Sequence, residues 1–532
     1  MTSNTPLHAG GVADPHLMLA FDQPSIPTWL ADRLHSSDIA GVSLFREWNI
    51  ESSEQTAELT SELQRLNAGP LPLLIAADQE GGQLLSLVGS TPFAGNMAIG
   101  ATGDADLAYR VALAIGRELR SVGINVNYAP AVDVATQAMN PSLGIRSFGD
   151  DPAEVARLGA ATVSGLSDAG ILSGIKHFPG KGEALVDPHF DLPYLDQPRD
   201  RIDSVELPPF AAAMKAGARI LMMGHYLVPA ITDSTEVPIS ASEKGIDGLA
   251  RTELGFSGIV ITDALDMGAL DQGPAQVVEI IAMMRAGTDL LLCMPDPDLQ
   301  ERVRQAVERG YSRGLIPEST LSVSRDRITS VRSSIAPLML DPSVVGNSEH
   351  HELANELARR SITLVRNEDG LVPLQLGAGA RVLVLEPEPS DITPADTTSR
   401  YPPGLATALR EHHQDVSGIV YPHSPGVNDI EGARTAAMEC DLLVVGTDFA
   451  NEDQASLVEA LLATGCPTVT VALRTPFDLA MYPTAPTHIC TYGSHTPSME
   501  AVAKALFGRA AFPGRLPAAI PGLYPTGHGE GG

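Results

Sequence analysis

Eight short apolar runs, spaced far enough apart to leave room for a helix after each, constrain the first 337 residues more than any other feature. They are Leu17 to Phe21, Gly41 to Phe45, Leu73 to Ala77, Ile124 to Ala129, Gly170 to His177, Arg219 to His225, Gly258 to Thr262 and Leu290 to Met294. Most are apolar without alternation, the pattern of a strand buried on both faces. Eight such strands separated by helical lengths of chain are what a closed parallel (β/α)8 barrel of the TIM type requires.

The polar residues at the ends of these runs then carry information. Asp78 follows the third, Lys176 and His177 end the fifth, His225 ends the sixth, and Asp263 follows the seventh. All lie at C-terminal ends, the rim where such barrels place their active sites. Asp263 alone would read as a helix cap; four strands delivering polar groups to one rim read as a site.

After residue 337 the pattern changes. The stretch Ala336 to Glu349 has no period and two prolines, which suits a linker, set at 338–350. Beyond it Arg381 to Glu386, Val416 to Tyr421, Asp441 to Gly446, Pro467 to Leu473 and His488 to Tyr492 read as strands, with helices such as Glu452 to Ala463 and Ser498 to Phe507 between them. The expectation is a C-terminal α/β sandwich domain over 351–532 with a largely parallel sheet. It holds no glycine fingerprint for a nucleotide, and the chain has no internal repeat.

Composition excludes some partners. Sixty-five acidic against 35 basic residues give a net charge of −30, which argues against nucleic acid and anionic membrane. Met1 to Pro15 has no basic segment leading into an apolar core, and no window holds the roughly 18 apolar residues of a membrane span. A cytoplasmic protein is expected. The four cysteines, Cys293, Cys440, Cys466 and Cys490, form no C-x-x-C pair and suggest neither a zinc knuckle nor a disulfide framework.

The chemistry concentrates between Lys176 and His189, K-H-F-P-G-K-G-E-A-L-V-D-P-H. A strand ends in two polar side chains, a Pro-Gly-Lys-Gly breaker follows, and then an acid and a histidine stand two residues apart. Pro188 keeps Asp187 extended, so Asp187 and His189 can project to one side and share a hydrogen bond. A histidine oriented by a carboxylate serves as acid or base near neutral pH. Such a pair on its own is as often a solvated turn; the convergence of the other strand ends weighs against that.

These motifs together resemble glycoside hydrolase family 3, in the two-domain β-N-acetylglucosaminidase branch. The resemblance rests on Asp78-Gln79-Glu80-Gly81-Gly82, Asn127-Tyr128-Ala129-Pro130-Ala131-Val132-Asp133, Arg146-Ser147-Phe148-Gly149, Lys176 to His189, Gly255 to Asp263 and Phe512-Pro513-Gly514-Arg515-Leu516-Pro517. It implies a retaining glycosidase acting on terminal N-acetylglucosamine, with Asp263 as nucleophile and His189 as acid/base oriented by Asp187. Asp78, Arg146, Lys176 and His177 match positions that hold sugar hydroxyls, and His225 joins them as a binding candidate. Two positions depart from the family, where Lys181 is often histidine and Gln83 commonly arginine. No cofactor or metal is implied, and the partner is a carbohydrate.

Other readings remain open at this point. Within the family they are a β-glucosidase, disfavoured by the Asp187–His189 pair, and a phosphorylase using the same covalent intermediate. Outside it stand a metal-dependent hydrolase using His177, His225 and Asp263 as ligands, opposed by the cationic Lys176 beside them, and a non-catalytic sugar-binding protein.

Overall fold

The computed structural model describes residues 11–337 and 339–531. Residues 1–10, part of the stretch read above for a targeting signal, and Leu338 of the expected linker lie outside them.

Eight strands form the first sheet: β1 Leu17–Leu19, β2 Gly41–Ser43, β3 Leu74–Ala77, β4 Val126–Asn127, β5 Leu172–Phe178, β6 Ile220–Met223, β7 Ile259–Thr262 and β8 Leu291–Leu292. Each corresponds to one of the eight apolar runs. Neighbours pair in parallel in the order β8-β1-β2-β3-β4-β5-β6-β7. A parallel bridge between Ile261 and Leu290 brings β7 against β8 and nearly closes the barrel.

The lack of alternation in the runs has its explanation in where successive side chains go. Met18, Leu74, Ala76, Ile220, Met222, Ile259 and Ile261 pack together inside the barrel. Leu17, Leu19, Ile75, Leu221, Met223 and Val260 pack outward under the helices. Both faces are therefore dry, and every position favours an apolar residue. The helices that cover the outer face start on polar caps: Ser52 accepts from Gln55 N–H, Asp104 from Asp106 and Leu107, and Asp151 from Ala153.

The second sheet has six strands, one more than the sequence suggests: β9 Thr363–Asn367, β10 Val382–Pro387, β11 Val416–Tyr421, β12 Leu442–Thr447, β13 Thr468–Ala472 and β14 Thr487–Cys490. Their order is β9-β14-β13-β12-β10-β11, parallel except for β9, which runs antiparallel on β14. Helices cover both faces: Val382 and Val384 pack with Leu405, Leu409 and Val502, while Leu383 and Leu385 pack with Ala433, Leu457 and Leu461. No helix among the described residues is long and apolar enough to cross a membrane.

The two units are joined by buried polar contacts as well as by the chain. The first helix beyond the barrel, Ser348–Ser361, starts on an Asn347 cap inside the expected linker. Its His350 donates from Nδ1 to Glu118 of the barrel helix Ala105–Ser121 at 2.8 Å. The same carboxylate accepts from Thr91 N–H, Thr91 Oγ1 and Gly346 N–H at 3.1, 2.6 and 3.1 Å. Removing it strands buried donors from three segments at once. Glu118→Ala should cost on the order of 3 kcal/mol of stability, and Glu118→Gln, which keeps a carbonyl acceptor, less. Denaturant unfolding of the full chain measures both, and equal midpoints for Glu118→Ala and the parent would contradict this role.

Candidate active site

The rim at the C-terminal ends of β3 to β7 gathers most of the residues singled out in the sequence. Pairing between β5 and β6 skips from Ile175 to Phe178, which takes Lys176 and His177 out of the regular ladder. Lys176 Nζ lies 2.5 Å from Asp78 Oδ1 and 2.6 Å from Glu80 Oε1. Arg146 donates to both oxygens of Glu80, Nε to Oε2 and Nη2 to Oε1, at 2.9 Å each. Burial alone would raise the Glu80 carboxyl, but Arg146 and Lys176 outweigh it and hold it at about 2. Burial likewise opposes the Lys176 ammonium, and Asp78 and Glu80 overcome that and hold it above its ordinary value.

His177 is bracketed. Its Nδ1 is 2.9 Å from Asp133 Oδ2 and its Nε2 is 3.2 Å from Arg146 Nη2. A guanidinium only donates, so Nε2 accepts and Nδ1–H donates to Asp133. Burial, helped by Lys181 and Arg146, keeps this ring neutral by pushing its pKa well below the ordinary value. Asp133 also accepts the Lys181 N–H at 2.8 Å. The Lys181 side chain is almost fully buried. Burial and Arg146 lower it to about 8, against the pull of Asp133, Asp263 and Asp187.

Asp187 and His189 face this group from the loop after β5. His189 Nδ1 lies 2.7 Å from Asp187 Oδ1, which also accepts the His189 N–H at 3.0 Å. The Asp187 side chain is 5% exposed and that of His189 23%, so the carboxylate is shielded while the ring reaches open space. Burial works to raise Asp187, and its bonds to His189 more than reverse that. With Nδ1 committed to Asp187, Nε2 is the nitrogen left to exchange a proton.

Asp263 follows β7 and is half-buried. Its carboxylate accepts only the next N–H, that of Ala264, at 2.9 Å, and no regular helix starts until Gly273, so it does not cap one. The turn it begins is fastened to the Asp187–His189 loop. Gly268 N–H donates to His189 O at 3.0 Å and Ala269 N–H to Pro188 O at 3.1 Å. A Cβ on Gly268 would come within 2.6 Å of Phe190 O and 2.9 Å of His189 O. His225 is enclosed behind this turn. Its Nδ1 meets Ser240 Oγ at 2.8 Å and its ring lies beside the backbone of Asp263 and Ala264, which places it against the turn.

Of the three residues of the metal reading, His177 has both ring nitrogens engaged by Asp133 and Arg146, and no three His, Cys, Asp or Glu side chains among the described residues are grouped as ion ligands. What the rim offers is one exposed imidazole facing carboxylates, with a buried cluster of charged groups beside it.

Comparison with known proteins decides the family. Residues 22–331 match the glycosyl hydrolase family 3 N-terminal domain. The chain belongs to glycoside hydrolase family 3. It is 31% identical to beta-hexosaminidase A of Pseudoalteromonas piscicida over 93% of this chain and 92% of that protein. With a beta-N-acetylglucosaminidase/beta-glucosidase of Cellulomonas fimi it shares 28% over 93% of this chain and 90% of the other. The solved structure of a family 3 beta-N-acetylglucosaminidase from Paenibacillus superposes with a TM-score of 0.91 at 32% identity, covering 97% of this chain and 99% of that one. The chain is thus an enzyme, a family 3 glycoside hydrolase with the barrel and second domain of that fold, and the sugar-binding reading without catalysis falls away.

Three members of the cluster escaped sequence reasoning as site residues: Glu80, Asp133 and Lys181. All three stand in motifs quoted above, Glu80 in Asp78–Gly82, Asp133 at the end of Asn127–Asp133 and Lys181 within Lys176 to His189, and that was the available signal. The second domain also reaches this family 3 site from behind. The hairpin formed by Gln79–Gly81 and Leu84–Leu85 is clasped by Thr397, whose N–H and Oγ1 donate to Gln83 O at 2.8 and 3.0 Å. His495 Nε2 donates to Gly82 O at 2.7 Å.

Two outcomes follow from this geometry. Glu80 has its folded pKa below the ordinary 4.5, so its contribution is complete above pH 4.5 and disappears as pH falls toward 2. Glu80→Gln should therefore be less stable at pH 7, by roughly 3 kcal/mol, and its stability should fall less steeply between pH 4.5 and 2. Urea titrations across that window test it; parallel slopes would contradict the assignment. Gly268→Ala should push the His189 loop outward and cut turnover on the order of 10²-fold while the melting temperature moves by only a few degrees. Unchanged turnover would show that the loop contact does not position His189.

Proposed function

We propose that this enzyme is a retaining exo-β-N-acetylglucosaminidase that releases non-reducing terminal N-acetylglucosamine from β-glycosides. The observation that carries the reading is the Asp187–His189 pair, hydrogen-bonded at 2.7 Å and fastened through Gly268 and Ala269 to the turn that bears Asp263. The names borne by the relatives at about 30% identity support the same substrate. We also propose the division into a catalytic domain at 1–337, a linker at 338–350 and a second domain at 351–532.

In this mechanism Asp78, Arg146, Lys176 and His177 hold the sugar ring. The buried ion pairs fix donors in advance, so little ordering remains when hydroxyl groups arrive. Asp263 attacks the anomeric carbon, and protonated His189 gives its Nε2 proton to the departing oxygen. Asp187 stabilises the imidazolium that makes this possible. His189, now neutral, then takes a proton from water, which attacks the glycosyl ester and returns Asp263. His225 acts by supporting the Asp263 turn.

Asp263→Ala should abolish turnover while leaving the sugar-binding cluster intact, and a 2-fluoro or 5-fluoro glycoside should label the peptide holding Asp263. His189→Ala should slow natural substrates by about 10²–10⁴-fold, yet still glycosylate Asp263 from a dinitrophenyl glycoside. The intermediate should then accumulate as a burst and be released by azide, which needs no base. Equal losses on natural and activated substrates, with no burst and no rescue, would remove His189 from the acid/base role. The same assays with and without phosphate separate hydrolysis from phosphorolysis.

A further inference from the structure

The leaving group of the proposed reaction has to lie over the loop that carries His189. A general acid works at hydrogen-bond distance from the oxygen it protonates, and the rest of the leaving group continues outward from that oxygen. Four large apolar side chains of this loop point outward, beside the exposed Asp191 and Asp196. Leu185, Val186, Phe190 and Tyr194 are exposed by 66, 42, 71 and 51%, and Met139 on the neighbouring loop by 51%. Asn140, next to Met139, donates to the carbonyls of Lys181 and Gly182 at 2.7 and 3.1 Å, which ties the two loops together. The contacts of Gly268 and Ala269 anchor the His189 segment, with Phe190 next in sequence, beside the Asp263 turn. Exposed apolar side chains concentrated beside a site mark a binding surface.

The segments that frame this surface after β5, β7 and β8 are acidic, with Arg201 reaching in to pair with Glu183 at 3.0 Å. Segments 179–198, 263–276 and 293–298, which follow β5, β7 and β8, contain no arginine and one lysine, the buried Lys181. Asp191, Asp266 and Asp296 are exposed there, and Asp266 lies within the fields of His189, Asp263 and Asp296. A pyranose ring has an apolar C–H face that sheds water against an aromatic side chain, whereas an added carboxylate on the outer side of this mouth meets repulsion from Asp191, Asp266 and Asp296.

Building on His189 as the acid, we propose that Leu185, Val186, Phe190 and Tyr194, with Asp191 and Asp266, form a leaving-group subsite. It accepts a neutral or cationic amino sugar, its ring against Phe190, and discriminates against leaving groups that carry carboxylates. Chitin-type oligosaccharides and their partly deacetylated forms fit this description. A sugar bearing an acidic side chain does not.

The test uses the full chain and three β-1,4 disaccharides with N-acetylglucosamine at the non-reducing end. The reducing residue is N-acetylglucosamine, glucosamine, or N-acetylglucosamine with a 3-O-lactyl carboxylate; β-N-acetylglucosaminyl azide, whose leaving group has no ring, is the fourth substrate. At low salt kcat/KM on the anionic disaccharide should fall below that on the neutral one by roughly tenfold. The gap should narrow with added salt and in Asp266→Asn. Phe190→Ala should lose about tenfold more on the neutral disaccharide than on the azide. An anionic substrate cleaved as fast as the neutral one, or equal losses on disaccharide and azide in Phe190→Ala, overturns the subsite. So does a dimer that Phe190→Ala dissociates with disaccharide kinetics unchanged, because the surface would then belong to a second copy. Turnover of none of the four substrates overturns the glucosaminidase reading itself and the subsite with it.

Discussion

Lys176 and Arg146 share one buried carboxylate, Glu80, and the charged side of the candidate site is built on that triad. Lys176 lies on β5, Glu80 in the hairpin after β3 and Arg146 in the long loop after β4, segments that the barrel brings together but that lie far apart in sequence. Taking three charges out of water is expensive, and an apolar core of the same volume would be at least as stable. What the triad provides is fixed geometry. Each partner is held by at least two others, so Asp78, His177 and the spare donors of Lys176 and Arg146 have little freedom left to lose when a polar ring displaces water.

The second domain acts on that triad without entering it. Thr397 and His495 grip the backbone of Gly82 and Gln83, and the hairpin they hold begins directly after Asp78 and contains Glu80. Gly81 and Gly82, at φ 88° and 58°, let the hairpin turn tightly; a Cβ on Gly82 would press to 2.8 Å on Gly95 Cα. A domain that supplies no proton donor in the proposed mechanism still fixes the direction in which Glu80 faces its two cations. Its influence on chemistry is therefore expected through ring binding, with the acid/base step left to the barrel's own loop.

What could be read from sequence divides along the range of the interactions involved. The eight barrel strands were legible because burial on both faces erases alternation, a local property of each run. Asp187 and His189 stood out because their contact spans two residues and Pro188 restricts the backbone between them. Strand β9 was missed: Thr363–Asn367 ends in Arg and Asn and follows a helix directly, and it becomes a strand through antiparallel pairing with β14, more than a hundred residues away. Glu80, Asp133 and Lys181 went unassigned for the same reason, since each gains its meaning from partners on other loops. His225 was read as a binding residue from its place at a strand end, yet its ring is turned behind Asp263 toward Ser240. Gly268 gave no signal at all, because its contribution is the side chain it lacks.

The acid/base role proposed for His189 fits the way its loop is anchored. A retaining mechanism asks one group to donate a proton in the first step and accept one in the second, at nearly the same place. In the proposed mechanism an imidazole bonded through Nδ1 to Asp187 would do this by changing charge on Nε2 alone, held in place by the buried carboxylate and the two backbone bonds to the Asp263 turn. In its neutral form it adds no negative charge to a mouth already lined by Asp191, Asp263, Asp266 and Asp296. A carboxylate there would add another like charge beside Asp187 and these four, with its own pKa driven up by them. The acidic rim and the histidine are therefore consistent with one another: a neutral base tolerates the field that a second carboxylate would have to overcome.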